Sequence, residues 1–565
     1  TSASGIQIDF REQDGTYDAV WQSRTTINDK GWCVEFKIPY SAIRFPNSIL
    51  QTWKIEFERS IRRRRERSRW TFIPKDIPNF IKYYGKLEGV SDIKAPFRLS
   101  LTPYVSGYYE NTPEYNADGT YSYANGYSYN AGADLKYGIN ESFTLDMTLL
   151  PDFSQVQSDS KVKNLSYREI TYEENRPFFR EGTELFNKNA LFYSRRIGKT
   201  PGLFYDVPYF LNAGDVILQN PSQTKLLNAT KITGRNTDGL GIGILNAVTD
   251  NMHAVVKDSL GSMRKILTEP LTNYNIVVFD KQLKNSSSAY IINTNVIRDK
   301  RYGAANATAT GFNLNDKKNR INFSGDAALT QKFTRIDSLP ETYANQLGYK
   351  YFVHLSKTNG KFRYGANYRV LSNTFDRNDL GYNNLNNFIN PTIFWSYDQY
   401  VPGKLFQFST VSANASYSEN FLTGRRTQIV FDLNDFGVLK NYTGIFCGGS
   451  VSPYKNYDYF EPRVEGMYYI NRRYFYSYAG ISTDYRKKIA LDLKGNIAQY
   501  INEGIDGFSW GVDPGIRFRV NDKLSVFYYG TYSYDKYNEG FANFDSGGNV
   551  IIGGRELTTY ENNFA

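Results

Sequence analysis

From Phe97 the chain alternates. Phe97, Leu99, Leu101, Pro103 and Val105 interleave with Arg98, Ser100, Thr102, Tyr104 and Ser106. The next run sets Tyr127, Tyr129, Ala131, Ala133, Leu135 and Tyr137 against Ser128, Asn130, Gly132, Asp134 and Lys136, and Phe143, Leu145, Met147 and Leu149 follow against Thr144, Asp146 and Thr148. The scheme returns late in the chain, at Ile489, Leu491, Leu493 and Ile497 and at Val512, Pro514, Ile516, Phe518 and Val520. Residues two apart share one face of a strand, so each run predicts a strand with one apolar face. Runs of about ten residues suit strands tilted across a bilayer, whereas a soluble sandwich usually has shorter ones.

The connections carry an independent signal, because barrel hairpins alternate short turns on one side with longer loops on the other. Tight turns are expected at Ile139 and Asn140, at Thr237 to Gly239, at Asn315 and Asp316, at Thr358 to Gly360, and at Pro402 and Gly403. Longer connections are expected at 110–122, 251–271, 333–343 and 372–388. The fold class is therefore all-β: a large antiparallel transmembrane β-barrel spanning 96–565, with roughly 20 or more strands and so a wide lumen.

One segment, 152–224, breaks the alternation. It contains YEENRPFFREGTELFN and YSRRIGK, a mix of charged and aromatic residues. Irregular backbone cannot face lipid, and large barrels are often occluded by an inserted piece. The segment is expected to be a plug, with Arg176, Phe178, Phe179, Arg180, Glu181, Arg195 and Arg196 as lumen contacts and the arginines pairing with carboxylates on inward strand positions. The competing reading is a long loop folded over the outer mouth.

Residues 1–90 read as a separate unit of soluble strands, with Trp21, Trp32 and Trp53 near strand starts. Val34, Phe36 and Ile38 are expected to form one buried sheet face, and Ile55 with Phe57 another, as part of a small β-sandwich. The pattern opens midway at TSASGIQIDF, so the N-terminal half of this unit is expected to lie outside the chain. The end at ENNFA is likewise expected to precede further strands, which leaves barrel closure unread.

Composition narrows the chemistry. The 47 Tyr and 38 Phe favour pleated surfaces. A mean hydropathy of −0.52 and the lack of an apolar run long enough for a transmembrane helix leave a barrel open, since its apolar face occupies only alternate residues. The 2 Cys and 2 His are isolated, without zinc-site spacing. Neither a metal nor a cofactor is expected. The net charge of +10 and the run IRRRRERSRW raise nucleic acid as a partner, but arginines alternating along a strand suit a solvated or carboxylate-paired face, so no nucleic-acid partner is expected.

Two stretches resemble known sequences. AVWQSRTTINDKGWCVEFKIPYSAIRFP followed by WKIEFERSIRRRRE resembles the C-terminal half of a family 9 carbohydrate-binding module. PDFSQVQSD, ENRPFFREGTELF and LFYSRRIG resemble the most recognisable region of a poorly characterised family of Bacteroidota outer-membrane barrels that carry such a module at the N-terminus. YEEN departs from that family's usual lead, and Arg180 stands where it has an apolar residue. The resemblance implies a bacterial outer-membrane location, an N-terminal unit in the periplasm, and glycan contact. Trp21, Trp32, Arg59, Arg62 and Glu66 are the candidate glycan-binding residues, with core packing as the competing role for the tryptophans and ion pairing for the rest.

No spacing among the 57 Asp and Glu singles out a carboxylate pair of the kind glycosidases use, so no catalytic residues are named. The expected function is non-enzymatic glycan binding or uptake at the cell envelope. A structural or accessory subunit of a multi-protein outer-membrane complex, such as secretion or barrel-assembly machinery, is the first alternative, and a glycan-processing hydrolase the second. The expected partners are outer-membrane lipid, a glycan, and lipoproteins or other complex subunits.

Overall fold

The computed structural model describes residues 20–29, 31–43, 45, 48–61, 66–74, 81–94, 97–115, 121–151, 168–180, 182–236, 238–299, 302–335, 343–501, 507–521 and 524–564. Among the described residues, twenty antiparallel strands form one closed barrel in chain order, from Leu99–Tyr115 round to Val550–Phe564. Closure was the feature left unread in the sequence. An even number of strands brings the first and last together with both chain directions satisfied, and the ring removes every sheet edge.

The wall follows the alternation. Ile244, Val277, Phe279, Ile291, Leu329, Leu433 and Leu493 are exposed on the outer face, while Leu245, Ile276, Val278 and Ile292, one position away, are buried on the inner face. An apolar outer face on a closed sheet is the surface a hydrocarbon layer requires. The fold is that of an outer-membrane β-barrel. No helix among the described residues is long and apolar enough to cross a membrane.

Short connections (139–142, 236–239, 284–286, 316–320, 358–361 and 440–443) lie at one rim, and 150–225, 250–271, 372–387 and 453–472 lie at the other. The chain enters the barrel at the short-turn rim. The hairpin of 99–138 is longer than its pattern suggests, since strand pairing continues to Tyr115 and resumes at Tyr121.

Ahead of the barrel, three two-stranded pairs replace the expected sandwich faces: Gln22–Asn28 with Gly31–Lys37, Leu50–Ile55 with Gly85–Ser91, and Glu58–Ile61 with Glu66–Arg69. Phe36, Ile38 and Phe57 are exposed, contrary to the buried faces read from their spacing, because no second sheet covers them among the described residues. Burial there centres on Phe45, whose ring lies 5.6 Å from Tyr40 and 5.7 Å from Trp53.

Candidate lumenal binding site

The inserted segment packs against the inner wall. A Cβ at Gly243 would lie 3.0 Å from the Phe186 ring, so glycine at that inward position lets the segment approach the strand. Gly182 faces Thr233, and the Lys231 ammonium donates to the Phe178 carbonyl. These contacts run from the long-loop rim, where the segment leaves the wall at Leu149 and returns at Leu226, down to Leu185 beside Gly241 near the opposite turn. Eight residues of strand separate Gly241 from Thr249, about 27 Å at about 3.4 Å per residue.

The packing is apolar. Phe179, Phe186, Leu191, Phe192 and Ile197 join inward Leu245, Tyr274, Ile276, Val278, Ile292 and Val296 in one buried cluster, with Phe375 and Leu380 from the connection 372–387. That connection also folds inward: the Tyr193 N–H donates to the Leu380 carbonyl at 2.8 Å and the Tyr382 N–H to the Ala190 carbonyl at 3.1 Å. A side chain at Gly348 would run into the backbone of Thr374 and Phe375. The described part of the segment thus meets the inner wall through a hydrophobic core rather than the polar interior inferred from its charges.

Those charges are satisfied locally. Arg176 donates from Nη2 to Glu174 Oε2 at 2.7 Å and from Nε to Glu174 Oε1 at 2.9 Å, and Nη1 reaches the Ile197 carbonyl at 2.6 Å. Its guanidinium carbon lies 4.4 Å from the Phe179 ring centre. Burial pushes the Glu174 carboxyl up, but hydrogen bonds from Arg176 and Ser194 outweigh it and hold it below the usual carboxylate range. Arg196 pairs with Glu169 at 2.7 Å, Arg195 donates to the Glu173 carbonyl, and Arg180 is exposed. For Arg176 and Arg196 the expected pairing with strand carboxylates gives way to pairing within the segment, whose turns bring Glu174 and Glu169 to them, whereas Lys188 does reach a wall carboxylate, Asp280, at 2.8 Å. Glu181 lies outside the described residues.

A layer of charge closes this core at the long-loop rim. Asp379 accepts from Arg298 at 2.9 Å and lies 3.4 Å from the Lys332 ammonium. Burial raises the Asp379 carboxyl, yet the two cations outweigh burial and hold it below its ordinary value. Lys199 is shifted down, first by burial and then by Arg298 and Arg196, with Glu269 and Asp379 opposing.

Elsewhere in the barrel lies a cavity of about 650 Å³. Its wall carries a polar row: Arg369 opposite Asn390, the Asn390 amide donating to Ser418 Oγ at 2.8 Å, and Ser418 opposite Gln428. Further round, Tyr474 stands opposite Tyr500, rings 6.4 Å apart. The connection 453–472 folds in above them, adding Tyr457, Asp458 and Tyr459 through a short pairing of Asn456–Asp458 with Tyr469–Asn471. Arg168 and Leu385 also line it. Planar amides, guanidinium groups and phenol rings around a space of this size can hold a polar ligand by hydrogen bonding and ring contact. Among the described residues no group of three or more His, Cys, Asp or Glu is placed to hold a metal.

Residues 95–565 match a family described as a domain of unknown function (DUF5916). The chain belongs to the DUF5916 family. The matched stretch contains the whole barrel, the DUF5916 apolar core and the cavity. Among solved structures, this DUF5916 chain is similar to OpdQ of Pseudomonas aeruginosa, with 8% identity and a TM-score of 0.30 over 62% of this chain and 94% of that one. OccK2 (OpdF) of the same organism, solved in complex with glucuronate, gives the same figures. A BenF-like porin from Pseudomonas fluorescens Pf-5 aligns at 8% identity and a TM-score of 0.22, over 83% of this chain and 99% of that one. No curated protein matches the chain.

None of the candidate glycan residues lines the cavity. Trp32 is 55% exposed rather than in a core, and the Arg59 guanidinium sits 5.2 Å from its ring centre. Trp21 is half-buried and Glu66 is exposed opposite Ile61; Arg62 lies outside the described residues. Sequence reasoning missed Arg369, Tyr474 and Tyr500. The available signal was the polar phase of the alternation, as in RRYFYSY at 472–478, where Tyr474, Tyr476 and Tyr478 occupy the inward positions opposite an outward Phe475.

Proposed function

We propose that this outer-membrane barrel is a non-enzymatic glycan-binding protein of the cell envelope, taking a saccharide into the lumenal cavity and presenting its N-terminal, carbohydrate-module-like unit on the periplasmic side. The observation that carries this reading is the cavity itself, whose lining brings Tyr474 and Tyr500 together with Arg369, Asn390 and Gln428. Tyrosine rings offer sugar faces an apolar platform and amides bond their hydroxyls. The exposed Trp32 and Arg59 supply a second planar platform, suited to a glycan outside the barrel.

The test is single-channel recording of the full chain in planar bilayers with neutral oligosaccharides added. Transient current blocks are expected, with the blocking affinity about tenfold weaker in Tyr474→Ala, a change of about 1.4 kcal/mol. A barrel that conducts without any blockade by saccharides would overturn glycan uptake. The topology has its own check: external protease on intact cells should spare residues 1–90, and their removal with the outer membrane intact would place that unit outside.

A further inference from the structure

Over six consecutive strands, from Leu226–Arg235 to Ile321–Arg335, the outer face departs from the barrel's own apolar rule. Asn275 lies between Tyr274 and Ile276, both buried on the lumen side, so its side chain shares the outer face with Val277 and Phe279. Strand register sets Thr230, Asn246, Asn275, Asn295, Asn306 and Gln331 opposite one another in a continuous row. Neighbouring positions thicken it. The Asn246 amide donates to Asn273 at 2.7 Å and Asn275 at 2.8 Å, and the Asn293 amide to Thr308 at 2.8 Å and Asn306 at 3.2 Å. The row is not beyond the apolar band: Asn293 and Asn295 lie between outward Ile291 and Ile297, which are 48% and 50% exposed.

Amides facing hydrocarbon are costly unless they are hydrogen-bonded. The bonds within the row use only some of its groups, since the side chains of Asn295 and Gln331 have no hydrogen-bond partner among the described residues. The row is uncharged, which removes any call for an oppositely charged partner. An amide is at once donor and acceptor, so a row of them is complementary to a copy of itself turned about a two-fold axis.

We propose that this amide row is the contact through which two copies of the chain associate side by side in the membrane. Six strands spaced about 4.8 Å apart make the row about 24 Å wide. A stable interface covers about 800 Å² on each partner, so the flanking outward residues Ile244, Val277, Ile291 and Leu329 complete it. The same wall is backed on its inner side by the apolar core, so the contact surface is held rigid before it meets its partner.

The test is disulfide cross-linking of the full chain in native membranes after Cys33→Ser and Cys447→Ser. Asn293→Cys is expected to give, on oxidation, a covalent dimer of twice 64.9 kDa, and Leu433→Cys, on a distant part of the outer wall, is expected to give none. Asn275→Leu combined with Asn295→Leu should cut the Asn293→Cys dimer at least tenfold while heat-dependent gel migration shows the barrel still folded. Absence of the dimer, an equal dimer from Leu433→Cys, a dimer indifferent to the leucine changes, or a cross-linked product of a different mass would each overturn the proposal.

Discussion

Phe186→Ala is expected to destabilise the barrel by about 3–5 kcal/mol, the usual cost of emptying a buried phenylalanine site. Phe186 is completely buried, with its ring 6.0 Å from Phe192 and against the bare backbone of Gly243. The strand cannot move inward to fill the gap, because the closed hydrogen-bonded ring fixes its position, so most of the cavity would persist. The measurement is urea unfolding in detergent, followed by loss of the heat-dependent gel shift. An unchanged midpoint would mean that the inserted segment contributes nothing to barrel stability and sits in the lumen as a separable stopper. The expected loss bears on the proposed uptake, which would have to use the cavity at Tyr474 and Tyr500 and leave the Phe186 core in place.

Much of the wall was legible from residue order. Alternation at Leu99 to Val105 and at Ile489 to Ile497 marks outward faces that the structure leaves exposed, because period-two burial is a local property of a strand. Turn positions were legible for a similar reason, with Gly239 and Gly360 both in the left-handed conformation their turns require. What the inward face meets is decided elsewhere. The inward positions of the strand Thr272–Leu283 carry in themselves only a strand's alternation, and the distant FFREGTELF segment makes Ile276 and Val278 part of a core. The charges around Arg176 pointed toward a polar lumen, but a bidentate partner two residues away outcompeted the wall. The outward amides were hidden in the same way. Asn246, Asn275 and Asn295 are scattered along the chain, and register alone makes them a row.

Glu174→Ala is the second large effect, about 3–5 kcal/mol, because it leaves the Arg176 guanidinium buried without its counter-charge. The two side chains are only 13% and 8% exposed, and Arg176 also holds the Ser194 and Ile197 carbonyls, so losing its anchor loosens the turn that brings Ile197 into the core. The pH dependence follows from the depressed carboxyl of Glu174. A carboxyl whose folded value lies below its unfolded value of about 4.3 contributes stability that is fully present above that value. The contribution is lost as pH falls through the folded value. Hydrogen-exchange protection across 172–197, corrected for the intrinsic exchange rate at each pH, should therefore fall below about pH 4 in the wild type. Glu174→Gln preserves the shape but not the charge; its exchange should be faster at neutral pH and show a smaller acid step, the remainder belonging to groups such as Asp379, also held low by its cations. An acid step in Glu174→Gln as large as in the wild type would show that this ion pair does not anchor the segment. The charges of YEENRPFFR would then serve solubility before insertion, and the apolar cluster alone would hold it in the lumen.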